Sequence, residues 1–133
     1  MAVPITDERM TRTGKPILII DDDNRNIFAL SAVLKAKGYT TISAGSMKEA
    51  FDILSWHENI GVILIDMMMP DMDGYEAIPL LKTDQRYKDI PVIAVTAQAM
   101  TGDREKCLAA GADGYQSKPV DVDQLMEVLA TYL

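Results

Sequence analysis

Acidic, hydroxyl and ammonium side chains follow three short apolar segments and a fourth, weaker one, and residues of these types at this spacing could carry out phosphoryl-group chemistry. The segments and the residues that follow them are 17–20 with Asp21, Asp22 and Asp23, 61–65 with Asp66, 91–95 with Thr96, and 113–117 with Lys118. Short apolar, β-branched runs predict buried strands. Open α/β sheets place their ligands at the carboxyl ends of the strands. We therefore expect these side chains to share one site.

Asp66 is the candidate nucleophile of this site. It opens the stretch 66–74, Asp-Met-Met-Met-Pro-Asp-Met-Asp-Gly, whose Pro and Gly predict an exposed loop. A carboxylate held beside a cation can attack a phosphoryl group and carry it as an acyl phosphate. The alternative is that Asp66 caps the next helix, but Asp73 is better placed for that role. We therefore favour the chemical role for Asp66.

Asp21 and Asp22 are the candidate ligands of a divalent cation. Neighbouring carboxylates raise one another's pKa, and a hard cation relieves that repulsion. Mg²⁺ commonly takes one or two carboxylates together with waters and phosphate oxygens. The alternative is a solvated acidic turn, and Asp23 itself fits either such a turn or the N-cap of the first helix.

Thr96 and Lys118 are the candidate partners of the phosphoryl oxygens, because they offer a hydroxyl and a point charge at two further strand ends. A proline follows Lys118, so this peptide bond could be cis and turn the lysine towards the site. Tyr115 lies in the fifth predicted strand, where it is either a packing aromatic or a movable one that responds to Thr96.

Three other features favour structural roles. Consecutive methionines at 67–69 point in different directions and have no His or Cys beside them, so they predict packing. Cys107 is the single cysteine, and we expect it to be buried or half-buried in a helix. His57 is the single histidine and is expected at the surface.

Composition limits the class of protein. The 133 residues suffice for one domain, with a tail at 1–14 and a folded unit at 15–133. The formal charge of −7 disfavours direct nucleic-acid binding, which needs clustered Lys and Arg. No run is long enough to span a bilayer and the first residues do not resemble a signal peptide. With one cysteine, these features lead us to expect a cytoplasmic protein.

Strand and helix patterns alternate five times along the chain, which predicts an α/β fold with a doubly wound parallel sheet. The first, third and fourth strands are the most apolar and should be central, as in the strand order 2-1-3-4-5. Helices are predicted over 26–37, 47–56, 73–82, 102–110 and from about 121 to the end. Pro79 falls inside the third helix and should kink or shorten it.

Four motifs of the chain, in this order and spacing, resemble the response-regulator receiver domains of two-component signalling. They are Ile19-Ile20-Asp21-Asp22, the stretch 66–74, Thr96-Ala97 and Lys118-Pro119. The resemblance covers about residues 15–133 and implies the flavodoxin-like (βα)5 fold. It further implies that Asp66 is phosphorylated and that Mg²⁺, with Mn²⁺ as an alternative, is held by Asp21, Asp22, Asp66 and the backbone carbonyl of Met68.

The same resemblance implies roles for the remaining site residues and for the partners. Thr96 and Tyr115 would form a switch pair, and Lys118 would bridge to the phosphoryl group. The phosphoryl donor would be a histidine kinase or a histidine phosphotransfer protein. A downstream protein would bind the face formed by the fourth helix, fifth strand and fifth helix, with no direct nucleic-acid partner and no membrane segment.

The sequence alone leaves three alternatives open for the kind of protein. The sequence around the motifs resembles that of receivers fused to hybrid histidine kinases, but the sequence of a stand-alone receiver could have the same features. A phosphatase of the haloacid-dehalogenase type also combines strand-end aspartates with a hydroxyl and a lysine, although Arg25 stands where that family has Thr or Val. A receiver-like binding module that is never phosphorylated is the third alternative.

Overall fold

The computed structural model describes residues 14–97 and 101–133, and five parallel strands alternate with five helices along them. The elements are β1 (Ile17–Ile20), α1 (Asn24–Ala36), β2 (Thr41–Ala44), α2 (Met47–Trp56), β3 (Val62–Asp66), α3 (Gly74–Thr83), β4 (Val92–Thr96), α4 (Asp103–Ala110), β5 (Gly114–Ser117) and α5 (Val122–Tyr132). The sheet order is β2-β1-β3-β4-β5, as predicted. The expected tail at 1–14 lies outside these residues except for Gly14.

The three central strands are buried along their whole length, whereas β2 and β5 are only partly buried at the sheet edges. Alternate residues of a strand point to opposite faces. In β1, Leu18 and Ile20 therefore join one apolar cluster, while Ile17 and Ile19 join another. The first cluster packs beneath α2, α3 and α4, and the second packs beneath α1 and α5. The sheet thus separates two apolar layers.

Side chains fix most of the helix starts as the sequence predicts. Asp23, Ser46, Asp73 and Asp121 each accept a hydrogen bond from a backbone N–H in the first turn of their helix. This role confirms Asp23 as the N-cap of α1, which begins two residues earlier than predicted. The carboxylate of Glu49 accepts a hydrogen bond from the backbone N–H of Gly45 at 2.5 Å, while the backbone N–H of Glu49 donates to Ser46. Two reciprocal bonds therefore hold the start of α2.

Of the two effects expected of Pro79, a kink or a shortened helix, the shortening does not occur, since α3 continues through the proline to Thr83. The proline is exposed, whereas Ala77, Ile78 and Leu81 on the other side are fully buried. Tertiary packing of an apolar face supplies most of the stability of a helix in a protein, so it outweighs one missing backbone donor. No helix in the two described stretches is long and apolar enough to cross a membrane.

Candidate functional site

The register of the sheet brings the predicted site residues to one edge. Ile20 of β1 pairs with Ile65 of β3, so Asp21 and Asp66 follow at the same level. Thr96 of β4 pairs with Ser117 of β5, and Lys118 comes next. Neighbouring strands lie about 5 Å apart. All these residues therefore meet at the carboxyl edge of the sheet.

Three carboxylates form the centre of this edge. Asp21, Asp22 and Asp66 each offer an oxygen, and these oxygens lie within 4.8 Å of one another. Asp21 and Asp66 are buried, whereas Asp22 is exposed. The Oδ1 of Asp21 accepts a hydrogen bond from the backbone N–H of Asp23 at 2.8 Å, which fixes its orientation. Three acids so close together carry a concentrated negative charge that faces solvent through Asp22.

Lys118 supplies a single ammonium to two of these acids. Its Nζ donates to Oδ2 of Asp21 at 3.3 Å and lies 3.7 Å from Oδ2 of Asp66. The Lys118–Pro119 peptide bond is cis, the alternative that the sequence suggests. One ammonium does not balance three carboxylates, so the site retains a negative charge that a cation could neutralise.

The environment of Asp66 disfavours its ionised form. Burial, first of all, raises the pKa of this carboxyl to about 6, and the charges of Asp21 and Asp22 act in the same direction. The backbone N–H of Met68, which donates to Oδ1 at 3.1 Å, and the charge of Lys118 oppose the rise in pKa. A hard divalent cation beside Asp66 would favour the carboxylate. The donor set, oxygens only, fits Mg²⁺.

Thr96 and Tyr115 lie on the sheet face that α4 covers. Thr96 is fully buried at the end of β4 and follows Val92 and Ala94, which belong to the apolar layer on that face. Tyr115 of β5 pairs with Ala94 and packs against the same layer. The two predicted switch residues are therefore close neighbours on one face. The side chain of Met68 is half exposed, in the loop that follows β3.

Two residues near Tyr115, Asp103 and Tyr75, were not predicted from the sequence. Asp103 contacts Tyr115 directly, and Tyr75 is linked to Tyr115 through the carboxylate of Asp103. The hydroxyl of Tyr115 donates to Oδ2 of Asp103 at 2.9 Å, and that of Tyr75 donates to Oδ1 at 2.6 Å. Asp103 is buried although it lies in the first turn of a helix, where acidic residues are common. Sequence position alone therefore suggests an ordinary helix-dipole role and nothing more.

A cavity of about 250 Å³ adjoins the carboxylates and the lysine. Its polar end is formed by Asp21, Asp66 and Lys118, and its apolar wall by α1 residues such as Leu30 and by Val120 after β5. The remaining features singled out in the sequence pack or face solvent as expected, except that Met68 is half exposed and does not pack as predicted for 67–69. Met67, Met69 and Cys107 are buried, and His57 is exposed.

Gly74 keeps the chain beside Asp66 in place, and we expect Gly74→Ala to destabilise the fold by about 1–3 kcal/mol. A Cβ at this position would collide with Sδ of Met67 and lie 3.0 Å from the Met67 Cα, so the fully buried Met67 side chain must move and the backbone beside Asp66 must give by a few tenths of an ångström. Urea denaturation of the purified variant measures the loss. The matched control is Gly45→Ala, where the nearest atom would be Oε1 of Glu49 at an ordinary 3.7 Å. Equal stability of the two variants would contradict the prediction.

The fold and the carboxylate edge together define a class of signalling domain, and a family model agrees. The model of the response regulator receiver domain matches residues 17–130. The chain belongs to the response regulator receiver family, whose domains act as phosphoacceptors in two-component signalling. The match separates the chain from phosphatases of the haloacid-dehalogenase type.

Individual relatives support the same assignment. The chain is 38% identical over 119 residues to the polar-differentiation response regulator DivK of Brucella ovis, covering 90% of this chain and 96% of that protein. It resembles the receiver domain of the sensor histidine kinase PA1611 of Pseudomonas aeruginosa, with a TM-score of 0.80 and 31% identity over 90% of this chain and 98% of that one. That structure has a magnesium ion coordinated in its active-site cleft.

A chemotaxis receiver gives a similar match at lower identity. The chemotaxis protein CheY4 of Vibrio cholerae superposes with a TM-score of 0.81 and 26% identity, covering 90% of this chain and 98% of that chain. The predicted fold is therefore confirmed.

Proposed function

We propose that Asp66 is the phosphoacceptor and that it receives its phosphoryl group from the phosphohistidine of a histidine kinase or a histidine phosphotransfer protein. An oxygen of the Asp66 carboxylate attacks the phosphorus, the bond from phosphorus to the donor imidazole breaks, and an acyl phosphate forms on Asp66. The clustering of three carboxylate oxygens within 4.8 Å around one lysine is the observation that carries this proposal.

Ionisation of Asp66 is required for the attack. With a pKa of about 6, this carboxyl is mostly ionised above neutral pH. Asp21, Asp22, Asp66 and the backbone carbonyl of Met68 would hold Mg²⁺, which when bound supplies positive charge for the phosphoryl oxygens. Lys118 is already 3.7 Å from Oδ2 of Asp66, so its ammonium is positioned to bind a phosphoryl oxygen attached there.

The output proposed for this reaction is a change at the sheet face beneath α4. Thr96 lies at the end of β4, one residue beyond the level of Asp66. Its hydroxyl would move towards a phosphoryl oxygen on Asp66, and Tyr115 would repack on the same face. The surface formed by α4, β5 and α5 would then bind a downstream protein. Residues 98–100, between Thr96 and α4, lie outside the described structure.

Intact mass spectrometry tests the phosphoacceptor assignment. We expect a single phosphoryl adduct after incubation with acetyl phosphate and Mg²⁺, and none in excess EDTA. Borohydride reduces an acyl phosphate to an alcohol, so peptide mapping after reduction should place the change at Asp66. A folded protein that acquires no adduct from acetyl phosphate or from a phosphorylated histidine donor would instead be a binding module that is never phosphorylated.

A further inference from the structure

A single buried carboxylate joins three elements on the face beneath α4. Asp103, the first residue of α4, is 7% exposed and accepts one hydrogen bond on each oxygen. Tyr75 of α3 donates to Oδ1 at 2.6 Å, and Tyr115 of β5 donates to Oδ2 at 2.9 Å. We call this arrangement the Asp103 clamp. It connects Tyr115 of β5 to α4 directly and to α3 through the shared carboxylate.

The two phenols are the main compensation for the buried charge of Asp103. Within residues 14–97 and 101–133, no lysine or arginine forms an ion pair with this carboxylate. The ammonium of Lys106 lies over the ring of Tyr75, 4.8 Å from its centre, instead. A buried carboxylate needs hydrogen-bond donors, and bonds to a charged acceptor are stronger than neutral ones. If one phenol is removed, the hydrogen bond from the other phenol therefore becomes more important for stabilising the Asp103 carboxylate.

Both phenols remain donors at neutral pH. Burial first, and then the bond to Asp103, raise the pKa of Tyr115 to about 12 and that of Tyr75 further above its usual value. Cys107 acts in the same direction on both rings and Glu105 on Tyr115, while the ammonium of Lys106 lies over the ring of Tyr75. Neither hydroxyl is therefore lost by ionisation.

The packing of α4 makes the clamp important for this helix. Only two of its eight residues, Asp103 and Cys107, are buried. The thiol of Cys107 itself lies 3.9 Å from the hydroxyl of Tyr75. An element with few buried side chains is held by few contacts and responds readily when one of them changes.

We propose that Asp103 is a positioning residue that holds Tyr115 in the arrangement seen here. Tyr75 donates to the same carboxylate and keeps its hydrogen bond to Asp103 when Tyr115 moves. The inference rests on the proposed function, in which Tyr115 repacks after phosphorylation of Asp66. Movement of Tyr115 breaks one of the two bonds to Asp103. Because Tyr75 keeps the carboxylate partly compensated, that movement costs less than it would without Tyr75.

The clamp predicts opposite effects for two substitutions. Asp103→Ala removes the acceptor, so Tyr115 should move more easily than in the wild type. Tyr75→Phe makes Tyr115 the sole phenol on the carboxylate, so Tyr115 should move less easily. Water replaces part of what each substitution removes, so the net effect should be that of an ordinary hydrogen bond and smaller than that of a full bond to a charged group. This net effect corresponds to a change of about 3- to 10-fold in each direction.

NMR on the full chain with ring-¹³C tyrosine tests this prediction. The Tyr115 signals are followed during titration with beryllium fluoride, a phosphoryl mimic, in the presence of Mg²⁺. Asp103→Ala should lower the midpoint about 3- to 10-fold, and Tyr75→Phe should raise it by a similar factor. Asp103→Asn, which keeps an acceptor, should fall nearer to the wild type. Tyr132→Phe is the control, because that hydroxyl donates to the backbone of Asp113 instead.

A second readout makes the result independent of the phosphorylation chemistry. Without beryllium fluoride at neutral pH, the hydroxyl proton of Tyr115 should exchange with water at least about 10-fold faster in Asp103→Ala than in the wild type. Equal exchange rates, or midpoints that shift in the same direction in folded Asp103→Ala and Tyr75→Phe, would overturn the clamp. If the wild type does not respond to beryllium fluoride at all, the proposed function fails, and the exchange rates alone decide the clamp.

Discussion

Asp66→Asn is expected to abolish the phosphoryl adduct completely and, in the absence of a divalent ion, to make the folded protein more stable at pH 8. The adduct is lost because an amide cannot replace the carboxylate as nucleophile. Stability rises because the wild-type carboxylate is buried against Asp21 and Asp22, with Lys118 at 3.7 Å as a partial counter-charge. The same residue would therefore reduce stability and provide the chemistry, a trade-off common at functional sites.

The gain in stability from Asp66→Asn should depend on pH with a definite sign. The pKa of Asp66 is raised in the folded state from 3.8 to about 6, so between these values the folded protein holds a proton that the unfolded chain has released. Wild-type stability contributed by this proton is fully present below about pH 3.8 and is lost as the pH rises through about 6. The shift alone corresponds to about 3 kcal/mol, and solvent screening at this partly buried site reduces it, so the stability difference should be small near pH 4 and on the order of 2 kcal/mol above pH 7.

Urea denaturation in EDTA at pH 4 to 8 measures this difference. Asp71→Asn is the matched control, because Asp71 is an exposed acid of the same loop. It should form the adduct normally and leave the stability unchanged to within about 0.5 kcal/mol at every pH. An Asp66→Asn variant that is no more stable than the wild type at pH 8 would show that the carboxylate cluster is not strained.

Asp21→Asn and Asp22→Asn are each expected to weaken Mg²⁺ binding by about 100-fold or more. Each substitution removes one of the three charged oxygens that lie within 4.8 Å of one another, and a hard cation depends on charged oxygen ligands. The two variants should differ in one respect. Asp21→Asn also removes the closer ion pair of Lys118, which leaves the ammonium with Asp66 alone.

Isothermal titration calorimetry with MgCl₂ measures these affinities, and Asp23→Asn provides the control. Asp23 adjoins both ligands and caps α1. Asparagine caps a helix about as well as aspartate does, so this variant changes the net charge by the same amount without loss of the cap. A loss in Asp23→Asn as large as in Asp22→Asn would indicate that total charge, rather than the three clustered oxygens, determines binding.

The edge of the sheet could be predicted from the sequence because each piece of it depends on local patterns. The apolar runs before Asp21 and Asp66 give the strands, and a parallel sheet then brings the strand ends together. The start of α1 was misplaced by two residues, since Asp23 caps a turn that contains no apolar residue until Ile27. The position of a helix cap depends on a single hydrogen bond, and the spacing of apolar residues along the sequence does not predict such a bond.

The Asp103 clamp could not be predicted from the sequence, for a different reason. Tyr75 and Asp103 are 28 residues apart, and Tyr115 follows 12 residues later. No periodicity connects such positions, because only the packing of α3 and α4 on the sheet brings them together. Pro79 also shows that local patterns do not predict the effects of tertiary packing. Burial of Ile78 and Leu81 outweighs the local rule that a proline kinks or shortens a helix.

The division of the core into two layers has a consequence for how such a protein can diverge. Leu34, Leu125 and Leu129 pack on one side of the sheet, while Leu54, Ile78 and Leu81 pack on the other. Substitutions at well-separated sites without shared partners have nearly additive effects. Mutations can therefore accumulate in one helical layer without compensating changes in the other. Two surfaces of the domain can evolve independently while the strands between them preserve the same carboxylate edge.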